Sequence, residues 1–352
     1  MIAAIAAVCL IALWLLISGI TRYAFRMVTQ MRLYRYPDES LLDYLLRTGL
    51  FTKEKYDSMA SREVQTTSAD GLMLNAQLFH PYPNSDKWVI IVHGYTMSLR
   101  SSLEFGAMFE EKGFNLLLID QRRHGKSQGK YTTYGFREKY DLQAWVHWLH
   151  AHYGPDIRIG LHGQSLGGGT VLEYLSIADP AVKFAVVDCP YSDLHKLIRY
   201  QVTKIARLPA FPFIRLLNRK LQAKAGFRLE QVSPIQSVQQ SRLPVLFIHG
   251  TSDRYVPPSM SQEMYEAKPG PKRLVLIQGA THATSYPTDP KRYKQELQSF
   301  AEECLEEDRL MADKAGKAEK AGKEALAETG TGGKPCVAAV QQAWQTRTQL
   351  EG

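Results

Sequence analysis

Ser165 is the residue of this sequence with the clearest capacity for chemistry. It lies in the segment GQSLGGG, residues 163–169, with a glycine two positions before it and another two positions after it. In a strand–turn–helix corner of the form G-x-S-x-G, the serine adopts a strained backbone conformation, and the flanking glycines let neighbouring backbone pack closely. The serine hydroxyl then projects into a cleft. The pattern indicates a nucleophile, and its value depends on a base, an acid and an oxyanion site elsewhere in the chain.

A nucleophilic serine needs a base that takes its proton and an acid that orients this base. A neutral imidazole serves as the base at physiological pH, and a carboxylate behind it stabilises the imidazolium that forms. In sheets with a serine elbow, the chain order is serine, acid, histidine. Asp253 in HGTSDRYVP and His282 in GATHAT follow Ser165 in this order. They are the predicted acid and base, and Asp188 at the end of an earlier strand is the alternative acid.

The negative charge that develops on an attacked carbonyl oxygen needs two hydrogen-bond donors. The first expected donor is the backbone N–H of Leu166, at the start of the helix that follows the serine. The second is the backbone N–H of Tyr95 in the loop HGYTMS, where Gly94 lets the chain turn inward.

The remaining histidines give no metal site. His147, His150 and His152 lie in one predicted helix, and the first two share a face, but no third ligand accompanies them. Four others stand next to strand ends or turns and are interpreted as structural: His93, His124, His162 and His249. The sequence predicts neither a metal nor a cofactor.

These side chains require a sheet that places them at one edge. Short apolar strand candidates alternate with helical patterns between residues 63 and 307, and EVQTTS and LMLNAQLF predict a hairpin around Asp70 and Gly71. The later candidates are KWVIIVHG, FNLLLID, IRIGLHG, FAVVDC, LPVLFIHG and RLVLIQG. This alternation predicts an α/β fold, a mostly parallel sheet with helices on both faces. Ligands bind beyond the carboxyl ends of such strands, where Ser165, Asp253 and His282 lie.

One long segment interrupts this alternation. Residues 192–240 are helical in pattern, basic and apolar, with breaks at Pro209 and Pro212. Its position at the carboxyl edge of the sheet predicts a lid over the active site. Its basic residues either face anionic lipid or an acidic substrate, or form a solvated surface. They are Lys196, Arg199, Lys204, Arg207, Arg215, Arg219, Lys220 and Lys224.

The amino-terminal segment is long and apolar enough to cross a membrane. Residues 1–21 have no charged side chain, no basic region before them and no clear cleavage site, which predicts a retained single-pass anchor rather than a cleaved signal peptide. Arginines follow the segment closely, at positions 22, 26, 32 and 35, so the catalytic domain is expected on the cytoplasmic side. Residues 22–62 form the predicted juxtamembrane segment.

Composition excludes other classes of protein. The chain has 352 residues, a net charge of +8 and 4 cysteines, which lack the spacing of a zinc site or a disulfide framework. The basic residues are dispersed, so no nucleic-acid partner is expected. Residues 308–352 are rich in alanine, lysine, glycine and glutamate, and predict a solvated helix or disorder.

Five motifs in register resemble the α/β-hydrolase superfamily, and in particular its esterase and serine-aminopeptidase-like branch with membrane-anchored bacterial members. They are VHGYTMS, DQRRHGKS, GQSLGGG, HGTSDRYVP and GATHATS. The resemblance implies a serine hydrolase with Ser165, Asp253 and His282 as triad. One departure is Arg123, where similar sequences often carry glycine, and it puts the shape of that loop in doubt.

The predicted activity is cleavage of a small-molecule carboxylic ester through an acyl-enzyme intermediate. A peptidase or amidase of the same fold is the first alternative, because folds of this kind host many reactions. A catalytically silent binding protein is the second.

Overall fold

The computed structural model describes residues 1–30, 45–47, 49 and 51–328. Residues Met1–Leu305 form one compact unit, and a second unit begins at Glu306. The described part of the first unit is organised around one eight-stranded sheet with the order β1-β2-β4-β3-β5-β6-β7-β8. The strands are β1 Ser61–Thr67, β2 Met73–Phe79, β3 Lys87–Val92, β4 Asn115–Ile119, β5 Arg158–Gln164, β6 Val182–Asp188, β7 Val245–Gly250 and β8 Lys272–Ile277.

The sheet is mostly parallel, as the alternating pattern predicted. Strand β2 runs antiparallel to β1 and β4, and the pairs from β4 through β3 to β8 are parallel. The first two strands form the hairpin predicted around Asp70 and Gly71. The carboxyl ends of β3, β5, β6, β7 and β8 therefore meet at one edge.

Helices cover both faces of the sheet. The α-helices among the described residues include α1 Ile2–Gln30, α2 Lys53–Ser58, α3 Leu103–Glu110, α4 Glu138–Tyr153, α5 Leu166–Tyr174, α6 Leu194–Tyr200, α7 Ala210–Ala225, α8 Pro234–Gln240, α9 Ser259–Ala267, α10 Ser285–Thr288 and α11 Pro290–Glu328.

The central strands β3 to β7 are mostly apolar because both of their faces are buried. In β3, Val89 and Ile91 enter one hydrophobic cluster, while Ile90 and Val92 enter another. Successive side chains of a strand point to opposite faces, so one uninterrupted apolar run supplies both layers of the core. This packing fixes the strand ends from which the candidate catalytic residues project.

Helix α1 is longer than the apolar segment that predicted it. Side chains from Ile2 to Leu16 are exposed, and the helix continues past residue 21 to Gln30. Its last part packs on the protein, with Thr21, Phe25 and Thr29 buried. The first residues of the predicted 22–62 segment are thus a continuation of the amino-terminal helix, and residues 31–44, 48 and 50 of that segment lie outside the described residues.

Residues 192–240 are helical between β6 and β7, and we call them the insertion. They contain α6, a π-helical turn Gln201–Ile205, α7 and α8. The predicted break falls where Pro209 caps α7 and Phe211 has non-helical dihedral angles. At the other end of the chain, α11 extends to Glu328. The prediction for residues 308–352 was either a solvated helix or disorder, and up to residue 328 the structure has a helix. Residues 329–352 lie outside the described residues.

Candidate active site

Ser165 lies at the sharp turn between β5 and α5. Its backbone has φ 53° and ψ −112°, a region that non-glycine residues rarely adopt. The flanking glycines are required by space: a Cβ on Gly167 would lie 2.0 Å from the carbonyl oxygen of Val92, and one on Gly163 would lie 2.4 Å from that of Gly167. The predicted serine elbow is therefore formed, and the strained turn is held between β3 and β5.

Ser165, His282 and Asp253 form one chain of hydrogen bonds. The Oγ of Ser165 is 2.8 Å from Nε2 of His282, and Nδ1 of His282 is 2.7 Å from Oδ2 of Asp253. His282 follows β8, and Asp253 follows β7. With a proton on Nδ1, the imidazole donates to the carboxylate and presents an acceptor to the serine hydroxyl. This is the arrangement that activates a serine for nucleophilic attack.

Asp253 is held as a carboxylate by its surroundings. Burial alone raises its pKa, but hydrogen bonds from His249 and His282 outweigh this effect and bring the pKa well below the usual range. The other oxygen, Oδ1, accepts hydrogen bonds from the backbone N–H groups of Tyr255 at 2.8 Å and Val256 at 2.9 Å. All of these donors favour the ionised form, which is the form that can stabilise an imidazolium.

His249 is a residue of the site that sequence analysis assigned only a structural role. Its Nε2 lies 3.2 Å from Oδ2 of Asp253 and 2.9 Å from the carbonyl oxygen of Val256, and its Nδ1 is 2.7 Å from Oγ of Ser261. An N–H on Nε2 satisfies both oxygens, while Nδ1 accepts from the serine hydroxyl. His249 thus helps to hold the carboxylate of Asp253, the candidate acid, in position. Its position four residues before Asp253 was the only signal in the sequence.

Asp188, the alternative acid, has other partners. Its Oδ1 accepts a hydrogen bond from Oγ of Ser285 at 2.8 Å, and its Oδ2 accepts one from Nε2 of Gln164 at 3.2 Å. Burial raises its pKa. Burial also raises the pKa of the nearby Glu104 to about 8, and the charge of Asp188 adds to this rise. Of the two candidate acids, Asp253 is the one hydrogen-bonded to His282.

The two expected oxyanion donors border the same small pocket as Ser165. Leu166 begins α5 directly after the serine, and Tyr95 lies in the loop after β3. The pocket encloses about 310 Å³, including space open to solvent. Its lining residues are Tyr95, Tyr134, Ser165, Leu166, Tyr191, Leu197, Gln201, Tyr255 and Val256.

The insertion supplies one wall of this pocket through Leu197 and Gln201. Gln201 also donates a hydrogen bond from Nε2 to the carbonyl oxygen of Tyr255 at 3.3 Å, and the hydroxyl of Tyr200 donates to that of Arg254 at 3.1 Å. The insertion is therefore connected to the loop that carries Asp253, the candidate acid.

The end of α1 is bound by two loops near the pocket, the one after β3 and the one between β4 and α4. The hydroxyl of Tyr95 donates to the carbonyl oxygens of Met27 at 2.9 Å and Val28 at 3.0 Å. Arg123 donates from its guanidinium to the carbonyl of Gln30 at 3.0 Å, and the N–H of Thr132 donates to that of Thr29 at 3.1 Å. These contacts satisfy carbonyl groups that the end of a helix leaves without partners. The sequence does not predict them, because they join residues far apart in the chain.

Arg123 shows how its loop accommodates the departure from glycine. Its φ is 70°, a left-handed conformation that glycine adopts at little cost. The loop keeps the glycine-like shape, and the arginine side chain gains its contact with α1.

Three of the other histidines, His93, His150 and His152, have structural partners. His93 is buried; its Nε2 accepts from the N–H of Gln121 at 3.1 Å, and burial lowers its pKa to about 4. His150 lies 3.2 Å from Oδ1 of Asp179, and His152 bonds the carbonyl of Trp148 at 2.7 Å. The helix with the three histidines does not gather them around one point.

In the described part of the chain, one group of side chains has donor atoms close enough to hold a metal: Cys189, Asp253 and His282. Asp253 and His282 are already engaged with each other. Burial raises the pKa of Cys189 well above its usual range, so its thiol stays protonated and is a poor ligand. The donor set suits the hydrogen-bonded triad better than a metal.

Fold and site together define an α/β hydrolase. A family model described as alpha/beta hydrolase fold matches residues 87–227. YqkD of Bacillus subtilis, an uncharacterized protein, is 34% identical over 266 residues, which are 75% of this chain and 86% of YqkD. YfhR of Escherichia coli is 25% identical over 238 residues, 65% of this chain and 76% of YfhR.

Solved structures agree with this class. The esterase Pf2001 of Pyrococcus furiosus superposes with a TM-score of 0.58 and 28% identity, over 72% of this chain and 95% of the esterase. The chain belongs to the α/β-hydrolase superfamily, and its likeness to esterases supports a hydrolase.

Proposed function

We propose that this protein is a serine hydrolase that cleaves carboxylic esters through an acyl-enzyme intermediate. The observation that carries the proposal is the unbroken path of hydrogen bonds from Ser165 through His282 to Asp253, at 2.8 Å and 2.7 Å. Neither distance requires a side chain to move before proton transfer begins.

In the acylation step, Oγ of Ser165 attacks the ester carbonyl carbon while its proton passes to Nε2 of His282. The carbonyl oxygen takes up the electron pair and accepts hydrogen bonds from the N–H groups of Leu166 and Tyr95. The intermediate then collapses, and His282 gives its proton to the departing alkoxide, which leaves as an alcohol. Asp253 stays ionised and stabilises the imidazolium.

In the deacylation step, water replaces the alcohol. His282 accepts a proton from the water, the resulting oxygen attacks the acyl carbonyl, and the same two N–H groups bind the oxyanion. Collapse of this intermediate returns the proton to Ser165 and releases the carboxylic acid.

The pocket supports an ester of modest acyl size. Leu166, Leu197 and Val256 give it apolar surface, and tyrosine rings form much of the rest. The likeness to the Pyrococcus furiosus esterase favours esters over amides. A peptidase or amidase activity rests on the motif resemblance alone.

We further propose that the hydrolase is membrane-anchored through α1, with its catalytic domain on the cytoplasmic side and the insertion acting as a lid. Helix α1 is long and apolar enough to span a bilayer, with a mean hydropathy of 2.6 over its most apolar window. A cleaved signal sequence would pass the same test. Retention is proposed because the segment has no clear cleavage site and its helix continues without a break to Gln30.

Labelling by a fluorophosphonate probe tests the proposed chemistry, because this probe reacts with an activated serine. The purified full chain in detergent is expected to be labelled and to hydrolyse p-nitrophenyl esters faster than the matching anilides. Ser165→Ala is expected to abolish both signals, while Ser58→Ala, a change of an exposed serine in α2, leaves both unchanged. Folded protein that neither takes up the probe nor hydrolyses esters would favour the binding-protein alternative.

A further inference from the structure

Four basic side chains from two helices lie together where the apolar part of α1 ends. Arg22 and Arg26 lie on α1, and Lys220 and Lys224 lie on α7 of the insertion. The members of each pair are separated by about one helical turn, so they share a face of their helix. We call these four residues the basic cluster.

The two helices bring the cluster together by packing. Phe25 of α1 is buried in the same hydrophobic cluster as Leu217 and Leu221 of α7. The Nζ of Lys220 lies 6.0 Å from the centre of the Phe25 ring. Because Phe25 lies between Arg22 and Arg26 along the helix, this contact sets Lys220 beside both arginines.

The cluster has an excess of positive charge. Burial lowers the pKa of Lys220, and the charges of Arg22, Lys224 and Arg26 lower it further. Within the described ranges, none of the four residues forms an ion pair with a carboxylate. Arg22, Arg26 and Lys224 are exposed, so an anion from outside the protein has access. Like charges held this close repel each other, and a bound anion removes that cost.

The position of the cluster along α1 indicates what kind of anion binds there. Ile20 ends the apolar stretch, and Arg22 follows two residues later. At about 1.5 Å per residue, Arg22 and Arg26 cover ~6 Å of helix axis, which matches the depth of about 5–7 Å between the hydrocarbon core and the outer limit of the headgroups. If the apolar stretch spans the bilayer, the cluster lies at the level of the lipid phosphates.

The other end of α7 has a second feature typical of a membrane surface. Phe211 is 71% exposed and Ile205 is 48% exposed, and the basic residues Lys204, Arg207 and Arg215 accompany them. Exposed apolar side chains among basic ones are typical of segments that lie in the interfacial layer.

We propose that the basic cluster binds the phosphate-bearing headgroups of anionic membrane lipids and thereby holds helix α7 of the insertion at the membrane surface. This inference rests on the membrane anchoring proposed above. The insertion also lines the pocket, through Leu197 of α6 and Gln201 of the π-helical turn that precede α7.

Lysine acylation in nanodiscs tests the inference. The full chain is placed in nanodiscs of phosphatidylcholine alone, or of phosphatidylcholine with phosphatidylglycerol, and treated with a neutral amine-reactive ester. The modification rates of single lysines are read by peptide mass spectrometry. We expect Lys220 and Lys224 to react at least several-fold more slowly in the anionic nanodiscs, while Lys53 and Lys126, exposed elsewhere, keep their rates. Inorganic phosphate added to neutral nanodiscs is expected to give no protection.

A matched pair of variants separates the cluster from general surface charge. Lys224→Gln is expected to reduce the protection of Lys220, and Arg228→Gln, which removes an exposed cation of the insertion outside the cluster, is expected to leave it unchanged. Equal rates at Lys220 in both lipids, protection by phosphate alone, or equal effects of the two variants would overturn the proposal. The readout needs no catalysis, so failure of the hydrolase proposal leaves it intact. Failure of anchoring is seen separately, as a chain that enters neither kind of nanodisc.

Discussion

The hydroxyl of Tyr95 donates a hydrogen bond to the backbone carbonyl of Met27, at 2.9 Å, near the end of the amino-terminal helix. The backbone N–H of the same tyrosine is the proposed second donor to the oxyanion. One residue therefore connects the proposed membrane anchor with the place where charge develops in the reaction. Preorganised donors are effective because they need not move during the reaction, and the bond to α1 restricts the loop that carries this one.

Tyr95→Phe tests this connection, because it keeps the ring and the backbone N–H but removes the hydroxyl. We expect kcat for a p-nitrophenyl ester to fall about five-fold, which corresponds to ~1 kcal/mol for one hydrogen bond. KM is expected to change less, because the oxyanion forms only in the transition state.

Tyr131→Phe is the matched control for Tyr95→Phe. The Tyr131 ring packs edge-on against Phe25 of the same helix, at 5.5 Å between centroids, and its hydroxyl makes no hydrogen bond within the described part of the protein. We expect it to retain full activity. Equal losses in the two variants would show that α1 acts through general packing rather than through the Tyr95 hydroxyl.

Asp253→Asn and Asp188→Asn distinguish the two candidate acids. An amide at position 253 keeps the shape of the loop but favours the wrong tautomer of His282, and a loss of about ten-thousand-fold in kcat is expected. An amide at position 188 can still accept the hydrogen bond from Ser285, so the loss of kcat in this variant is expected to be far smaller. The measurement is kcat of both variants by steady-state kinetics. A larger loss in Asp188→Asn than in Asp253→Asn would identify Asp188 as the acid.

Glu104 is expected to make stability depend on pH. Its pKa in the folded chain is about 8, against an ordinary value of 4.5. Between these values the folded chain keeps a proton that the unfolded chain releases, so the free energy of unfolding falls as pH rises through this window.

Glu104→Gln is neutral at every pH and removes this dependence. We expect the thermal midpoint of the variant to decline less than that of the parent between about pH 5 and about pH 8. Glu54→Gln, which changes an exposed carboxylate in α2, is expected to follow the parent. Parallel curves for the parent and Glu104→Gln would contradict the assignment.

The proposed topology is testable in whole cells. Protease added to intact protoplasts is expected to spare the hydrolase domain, because the arginines that follow the apolar segment favour the cytoplasm. Lysis of the protoplasts is then expected to expose the domain to digestion. Digestion of the domain while a cytosolic marker survives would show that it lies outside the cell.

The fold was predictable because the pattern of each element is local. Uninterrupted apolar strands between helices predicted the parallel sheet, and the order of Ser165, Asp253 and His282 placed three candidates at one edge of it. Their catalytic roles remain a prediction. The distances among these three side chains depend on how β5, β7 and β8 are arranged in the sheet, and the sequence alone does not give that arrangement.

Other parts of the site were not predictable, because they depend on contacts between distant segments. Helix α1 continues past residue 21 because Phe25 finds apolar partners on α7, and no local pattern reveals that partner. The contact of Tyr95 with Met27 joins residues far apart in the chain. His249 resembled the other histidines at strand ends until the fold placed it on Asp253.

Acylation of Ser165 is the step on which the proposed mechanism depends, and rapid acid quenching detects it. The full chain is mixed with excess p-nitrophenyl ester, quenched in acid during the first turnover and digested for peptide mass spectrometry. We expect one acyl group on the peptide that carries Ser165, at a level that rises with the burst of p-nitrophenol, and no acyl group in Ser165→Ala. Turnover of the ester without an acyl group on Ser165, or with the acyl group on another residue, would contradict it.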